Sequence, residues 1–281
     1  MSRRNNVERL GAPHPDAPSP ITSEQNNDLF SFVTPTEFVD LPSKGERYLE
    51  EHPLHHVDTI EIKHMTAKEE DILTSETLLK KGLAIDRLVE SVILDKNIKL
   101  KDLLIGDKNA ILLAARITGF GPLYKAAITC PSCDVANDEE FNLESIENKE
   151  VNYSEVEETE RGTFILQLPI SKMSLEVRLL TSADEHILTQ NAEKKKKLRL
   201  PETNATTLLS AIVVSVNDVK DRGQILKFIE SMPLRDSQYI KDIYEMVKPD
   251  INMHFDFACE ACSHVGEVIM PLTAEFFWPH R

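Results

Sequence analysis

An internal repeat limits what this chain can fold into. "MTAKEEDILT" at 65–74 aligns with "LTSADEHILT" at 180–189 at an offset of 115 (180 − 65). The two are identical at Thr66/Thr181, Glu70/Glu185, Ile72/Ile187, Leu73/Leu188 and Thr74/Thr189, and acidic at Glu69/Asp184. Recurrence at a fixed spacing marks a duplicated supersecondary unit. A Leu-Pro dipeptide precedes each copy, at Leu41-Pro42 and Leu168-Pro169, with Ser and Lys close behind and a strand-like stretch after it. Helical segments follow each copy, and then a β-like run that enters a Cys-x-x-Cys. Thr66-x-x-Glu69 and Ser182-x-x-Glu185 have capping-box spacing, in which a hydroxyl and a carboxylate satisfy free N–H groups at a helix start. These acids therefore read as caps and not as catalytic carboxylates. Each unit reads strand, capped helix, further helices, strand, cysteine turn.

Apolar residues at helical spacing support the middle of that order: Leu83, Ile85, Leu88, Val89, Val92 and Ile93, then Leu104, Ile111, Leu112, Ala115 and Ile117. "TGFGP" at 118–122 is expected to end the second helix through Gly119 and Gly121. "TTLLSAIVVSV" and "SQYIKDIYEMV" play the same part in the second unit. The distance from Thr66 to Cys130 is 64 residues and from Thr181 to Cys259 it is 78, so the second unit is 14 longer. Lys194 to Lys197 are a candidate for part of that length and read as the solvated end of a helix, where cations are favoured.

Cys130, Cys133, Cys259 and Cys262 are all the cysteines of the chain, paired as "TCPSCD" and "ACEACS" at equivalent places in the repeat. A structural zinc ion takes four ligands in a tetrahedron, and two Cys-x-x-Cys turns supply two bidentate halves. "AAIT" and "EEFNLES" read as strands around the first turn, and "MHFDFA" and "GEVIMPL" as strands around the second. The pattern predicts two β-hairpins that share one structural Zn2+, a zinc ribbon split between the units. A thioredoxin-like redox motif instead opens a helix that stabilises its thiolate, whereas β-like residues follow both pairs here. Disulfides would need an oxidising stage, and spacing alone does not separate zinc from iron. His254 and His264 lie near the second pair and read as surface or supporting residues. A shell of four thiolates has no open position for substrate.

Residues 1–36 carry Pro13, Pro15, Pro18, Pro20 and Pro35 among polar residues and read as a flexible arm. The stretch from Asp138 to Glu160 holds ten acids against Lys149, and 146–162 reads as an acidic, solvated linker. The expected organisation is a 1–36 arm, a first unit at 37–145, the linker, and a second unit at 163–281 with an aromatic tail. Phe276, Phe277 and Trp278 in that tail either pack back on the ribbon or anchor in a partner. A formal net charge of −15 argues against nucleic-acid binding. No stretch is apolar enough to span a membrane or to form a signal-peptide core, which points to a reducing cytosol. No nucleotide-binding loop, zinc-protease helix or nucleophile elbow is present. "HPLHHV" at 52–57 reads as a surface loop, and "SKGERY" at 43–48 as a turn with only a weak claim on phosphate through Lys44 and Arg47.

"FVDLPSKGERY", "MTAKEEDILTS", "LLKKG", "DLLIGDKNAILLAARITGFGPLY" and "CPSC" together resemble the baseplate hub protein family of contractile-tailed, T-even-like bacteriophages, most strongly over 38–134. Leu41, Pro42, Gly45, Thr66, Glu69, Glu70, Asp107, Arg116, Gly119 and Tyr124 are the family-like positions, none with assigned chemistry. The resemblance implies a non-enzymatic role by protein–protein contact in the central baseplate of the virion, with assembly in the host cytoplasm. The implied partners are other hub, wedge or tail-tube proteins and, within the baseplate, further copies of the chain. An assembly chaperone absent from the finished tail is the alternative, followed by a thiol-redox or Zn-dependent enzyme. The fold class expected is α+β, two related strand–helices–strand units joined by a split zinc-ribbon-like pair of hairpins.

Overall fold

Proline cannot donate to a β-ladder, so a Leu-Pro dipeptide is a natural place for a strand to stop. The computed structural model describes residues 34–199, 201, 203–270 and 272–277; the expected arm therefore lies outside the described residues up to position 33, as does Trp278. The first unit begins with β1 (Thr36–Asp40) paired antiparallel with β2 (Thr59–Lys63), Thr36 opposite Lys63. Leu41-Pro42 ends β1 and leads into a turn with positive φ at Lys44 and Gly45. A Cβ on Gly45 would lie 2.3 Å from Val57 N and 2.4 Å from Leu54 O, so the returning "HPLHHV" segment closes over a position only glycine can fill.

Helix α1 (Ala67–Thr74) starts at Thr66, whose N–H and hydroxyl donate to Glu69 Oε2 at 2.9 and 2.6 Å. The buried Glu69 carboxylate also accepts from Lys63 Nζ at 2.7 Å and Ser91 Oγ at 2.5 Å, so one cap ties β2 and α1 to the helix that carries Ser91. After α2 (Glu76–Lys80) and α3 (Ala84–Val92), Ile93 forms a single bridge to Ile62 of β2. The mostly buried α4 (Ile105–Phe120) then runs into a hairpin of β3 (Leu123–Thr129) and β4 (Ala136–Asn142). Gly121, at φ +83°, ends α4 alone; Gly119 lies inside the helix, where a Cβ would sit 2.1 Å from Met65 Cε.

The acidic stretch is not a free tether. Lys149 N donates to Asp250 O and Asn152 N to Met246 O, Asn252 N returns a bond to Glu147 O, and Tyr153 stacks on Phe164 at 5.6 Å. Its last residues form β5 (Glu157–Glu158), the edge of a four-stranded antiparallel sheet with β6 (Phe164–Gln167), β7 (Ser174–Val177) and β8 (Val213–Val216). The second unit continues with α5 (Ser182–Lys197), α6 (Asn204–Ile212) before β8, α7 (Arg222–Ser231), α8 (Leu234–Val247), and the hairpin β9 (His254–Ala258) with β10 (Val265–Ile269).

The duplication is visible element by element. Ile62 bridging Ile93 corresponds to Val177 pairing with Val213, at offsets of 115 (177 − 62) and 120 (213 − 93). The cysteines match at 129 (259 − 130). The 14 extra residues thus divide into five before that pairing and nine after it, where α7 replaces a 3-10 turn at Leu100–Asp102. Lys194 to Lys197 close the last turn of α5. The cap of α5 is Thr181 with Asp184, one residue before the expected Ser182 and Glu185: Asp184 Oδ2 accepts from Thr181 N at 2.9 Å and Thr181 Oγ1 at 3.0 Å. Thr181 is the direct repeat partner of Thr66, and Ser182 instead donates its N–H to Leu103 O at 2.8 Å.

That bond is one of several that join the units. Ile105 N donates to Leu180 O, Leu104 bridges Thr181, and Leu41, Ile62, Leu104 and Ile111 share one apolar core with Leu168, Val177, Leu180 and Ile243. The architecture is mixed α+β, with small antiparallel sheets and eight α-helices among the described residues.

Candidate metal centre

The two cysteine turns are built alike. Cys130 N donates to Val135 O and Asp134 N to Cys130 O, both at 3.0 Å; Cys259 N donates to His264 O and Ser263 N to Cys259 O, both at 2.9 Å. Asp134 and Ser263, at φ +57° and +58°, occupy the same left-handed position of each turn. Their backbone curls around the sulfurs, and Ser132 N reaches Cys130 Sγ at 3.4 Å. Cys130 and Cys259 are buried against Phe257, with Ile128 and Val268 packed beside them, while Cys133 is half-buried and Cys262 exposed.

All four sulfurs lie within 4.8 Å of one another. Cys130 Sγ is 3.7 Å from Cys262 Sγ, and Cys133 Sγ is 3.6 Å from Cys259 Sγ, each contact linking one hairpin to the other. With Zn–S bonds of about 2.3 Å, a regular tetrahedron has sulfur–sulfur edges of about 3.8 Å. The donor set and its spacing therefore fit a tetrahedral metal of zinc's size. The contacts are far longer than a covalent S–S bond, about 2.05 Å, and each motif leads into a strand, β4 or β10, not into a helix.

The thiols are unequal. Burial opposes ionisation of Cys259, but the N–H groups of Cys262 and Ala261 and the neighbouring thiols outweigh it and hold Cys259 down to about 6. Cys133 is pushed up to about 12: the Val135 backbone favours its thiolate, and the thiol of Cys262, burial and the other two cysteines override that. Four sulfurs this close cannot all carry charge by themselves, and a bound dication is the chemistry that would let them.

Other sequence candidates do not join this site. Among the described residues the four cysteines are the group placed to hold a metal ion. His254 is exposed, 3.4 Å from Glu267, and His264 serves the second turn through its backbone carbonyl. The 52–57 segment is a packed turn and not a loose surface loop: Leu54 is buried, His52 stacks on Tyr48 at 4.3 Å, and His55 Nδ1 meets Tyr48 O at 2.7 Å. Burial lowers the pKa of His52. The phosphate reading of "SKGERY" fails at Arg47, which pairs with Glu158 at 2.5 Å and lies over the rings of Tyr153 and Phe164 at 4.4 and 5.2 Å.

Phe276 and Phe277 are buried in the chain's own core, 1% and 2% exposed, so in this structure neither ring is free to anchor a partner. Phe276 packs on Tyr124 at 5.1 Å, and its carbonyl accepts from Arg116 Nε at 3.3 Å. The Arg116 guanidinium also donates to Gly121 O and lies over Phe120 and Tyr124. The last described turn of the second unit is thus fastened to α4 and β3 of the first.

A second duplicated device gave no chemical signal in the sequence. Asp107 in the first turn of α4 accepts from Ser43 N at 3.0 Å, Ser43 Oγ at 2.6 Å and Tyr48 Oη at 2.6 Å. Asp236 in the first turn of α8 accepts from Ile170 N at 2.8 Å and Ser171 N at 2.9 Å. Both carboxylates are fully buried, and each locks the turn after its own Leu-Pro. Burial raises the pKa of Asp107 more than its donors lower it. For Asp236 burial is outweighed by the Ile170 and Ser171 N–H groups, and the pKa falls. Their offset of 129 (236 − 107) equals that of the cysteines, which is the signal that could have paired them.

No helix among the described residues is long and apolar enough to cross a membrane. Neither the curated proteins nor the solved structures compared with the chain give a match. The family model described as T4 bacteriophage base plate protein matches residues 34–278, spanning both units and both cysteine turns, and the chain belongs to that family.

Proposed function

We propose that the chain is a structural, non-enzymatic component of the central hub region of a contractile phage tail baseplate, held together by a four-cysteine zinc site and acting through protein–protein contacts. The observation that carries this reading is the family match over 34–278, which takes in all four clustered cysteines. Cys130 and Cys133 on the first hairpin and Cys259 and Cys262 on the second would be the ligands. Bound zinc would tie the hairpins together, supplying on the order of 10 kcal/mol to folding. With four thiolates around it the ion has no open position, so its part is mechanical and not catalytic.

A shared core, an inter-unit metal clasp and a C-terminal turn fastened across both units make a rigid block, suited to a particle that transmits force. Its partners would be other hub, wedge or tail-tube proteins, or further copies of the chain, met in the host cytoplasm and retained in the virion. Quantitative mass spectrometry of purified tails, with cryo-EM of the baseplate, tests the proposal. The expected result is a fixed copy number and density for the chain near the tail axis. A chain that binds hub intermediates in infected lysates but is missing from finished tails would be an assembly chaperone, and the structural reading would fall.

A further inference from the structure

We infer that Asn137 positions the second cysteine turn for the metal: a side chain of the first hairpin that holds Cys259 in place and supports its thiolate. The inference rests on the zinc reading above. Asn137 lies in β4 with 6% of its surface exposed. Its Oδ1 accepts from Glu260 N at 3.0 Å, the residue after Cys259. That backbone donor fixes the orientation of the amide, because only the oxygen can accept. Nδ2 must then face the other way, and its two hydrogens go to Val135 O at 3.0 Å and Cys259 Sγ at 3.6 Å.

Every polar atom of this buried amide is thus used, and both ends matter to the site. One end grips the backbone of the second turn, and the other grips the first turn at Val135 O, the same carbonyl that accepts from Cys130 N. The remaining N–H points at a ligand sulfur, where a donor stabilises negative charge and limits the lone-pair density passed to the metal. The arrangement is one-sided. At the offset of 129 the counterpart of Asn137 is Gly266 in β10, which has no side chain to offer the first pair. The duplication therefore retains four equivalent sulfurs but only one supporting amide, and Asn137 would hold the hairpins in register before metal arrives.

Competition of the full-length chain against a chromophoric zinc chelator tests this, with Asn137→Asp and Asn137→Ala beside the wild type. Asp keeps the size and the acceptor for Glu260 N but turns an oxygen toward Val135 O and Cys259 Sγ, so it separates the lost N–H from lost packing. Both variants are expected to bind zinc about 10- to 100-fold more weakly. In the Co2+-substituted protein, loss of the N–H should move the thiolate-to-metal charge-transfer band to lower energy, which a packing defect alone would not do. In the zinc-free chain, faster hydrogen exchange at the Glu260 amide in Asn137→Ala would support the register role. Wild type binding one zinc, with both variants matching its affinity and cobalt spectrum, overturns the role of Asn137 and leaves the zinc site standing. Wild type that takes up no zinc overturns both.

Discussion

Replacing Asp107 by Ala tests whether buried carboxylates lock the two Leu-Pro turns. The substitution strands one backbone N–H and two hydroxyls, those of Ser43 and Tyr48, at a position with no solvent exposure. Each stranded buried donor costs about 1–3 kcal/mol. Two effects hold the total toward the low end: the hydroxyls can rotate toward other acceptors, and the mutation removes a charge whose ionisation burial already disfavours. The expected loss is therefore about 3 kcal/mol, or a fall in Tm of roughly 6–12 °C at about 2–4 °C per kcal/mol for a domain of this size. Asp236→Ala strands two backbone N–H groups that cannot rotate, Ile170 and Ser171, and should lose about 2–4 kcal/mol. The assay is thermal unfolding by far-UV circular dichroism at pH 7, with urea midpoints as a check. Either variant melting within about 2 °C of wild type, a change worth no more than about 1 kcal/mol, would refute the idea that these acids hold the turns.

Glu69 gives a pH test. Burial alone would raise its pKa, but hydrogen bonds from Lys63, Ser91 and Thr66 bring it down to about 2. A lowered folded pKa means the stabilisation is present above the unfolded value of about 4.3 and is lost as pH falls toward the folded one. Wild type should exceed Glu69→Gln in urea midpoint at pH 7, and the gap should narrow below about pH 4; a gap independent of pH would contradict the assignment. Arg47→Ala removes a cation stacked over Tyr153 and Phe164 and paired with Glu158, and should lower stability by about 2 kcal/mol. Arg47→Lys should recover less than half of that, because an ammonium cannot stack as a planar guanidinium does; full rescue in a melting experiment would count against the stacking argument.

The units were legible because duplication repeats local signals: a cap, a Leu-Pro stop, a helical run and a cysteine turn recur in one order. The pairing of the cysteines followed from that order, and the sulfur cluster agrees with it. The capping register slipped by one in the second unit because Thr181 and Ser182 are both competent caps, and Ser182 is drawn off by Leu103 O of the other unit. Tertiary contacts of that kind were the illegible part. Asp107 and Asp236 resemble ordinary acids in a first helical turn until the turns they lock, 64 and 65–66 residues away, are placed beside them. Phe276 and Phe277 read equally as partner anchors or as rings packed back on the ribbon; Arg116 and Tyr124, 160 and 152 residues before Phe276 (276 − 116 and 276 − 124), hold that end of the chain within the fold. The acidic linker looked solvated by composition, yet Ile146, Tyr153 and Val156 lie at spacings that let the chain pack as its acids face out.

Whether one metal clasps the two units is read from the metal content and sulfur environment of the purified full-length chain. About one zinc per chain is expected, with X-ray absorption showing four sulfurs at about 2.3 Å, and with loss of the metal and a lowered melting temperature in Cys133→Ser. Protein isolated without metal from zinc-replete cells, with a melt that neither chelator nor Cys133→Ser alters, would contradict the clasp.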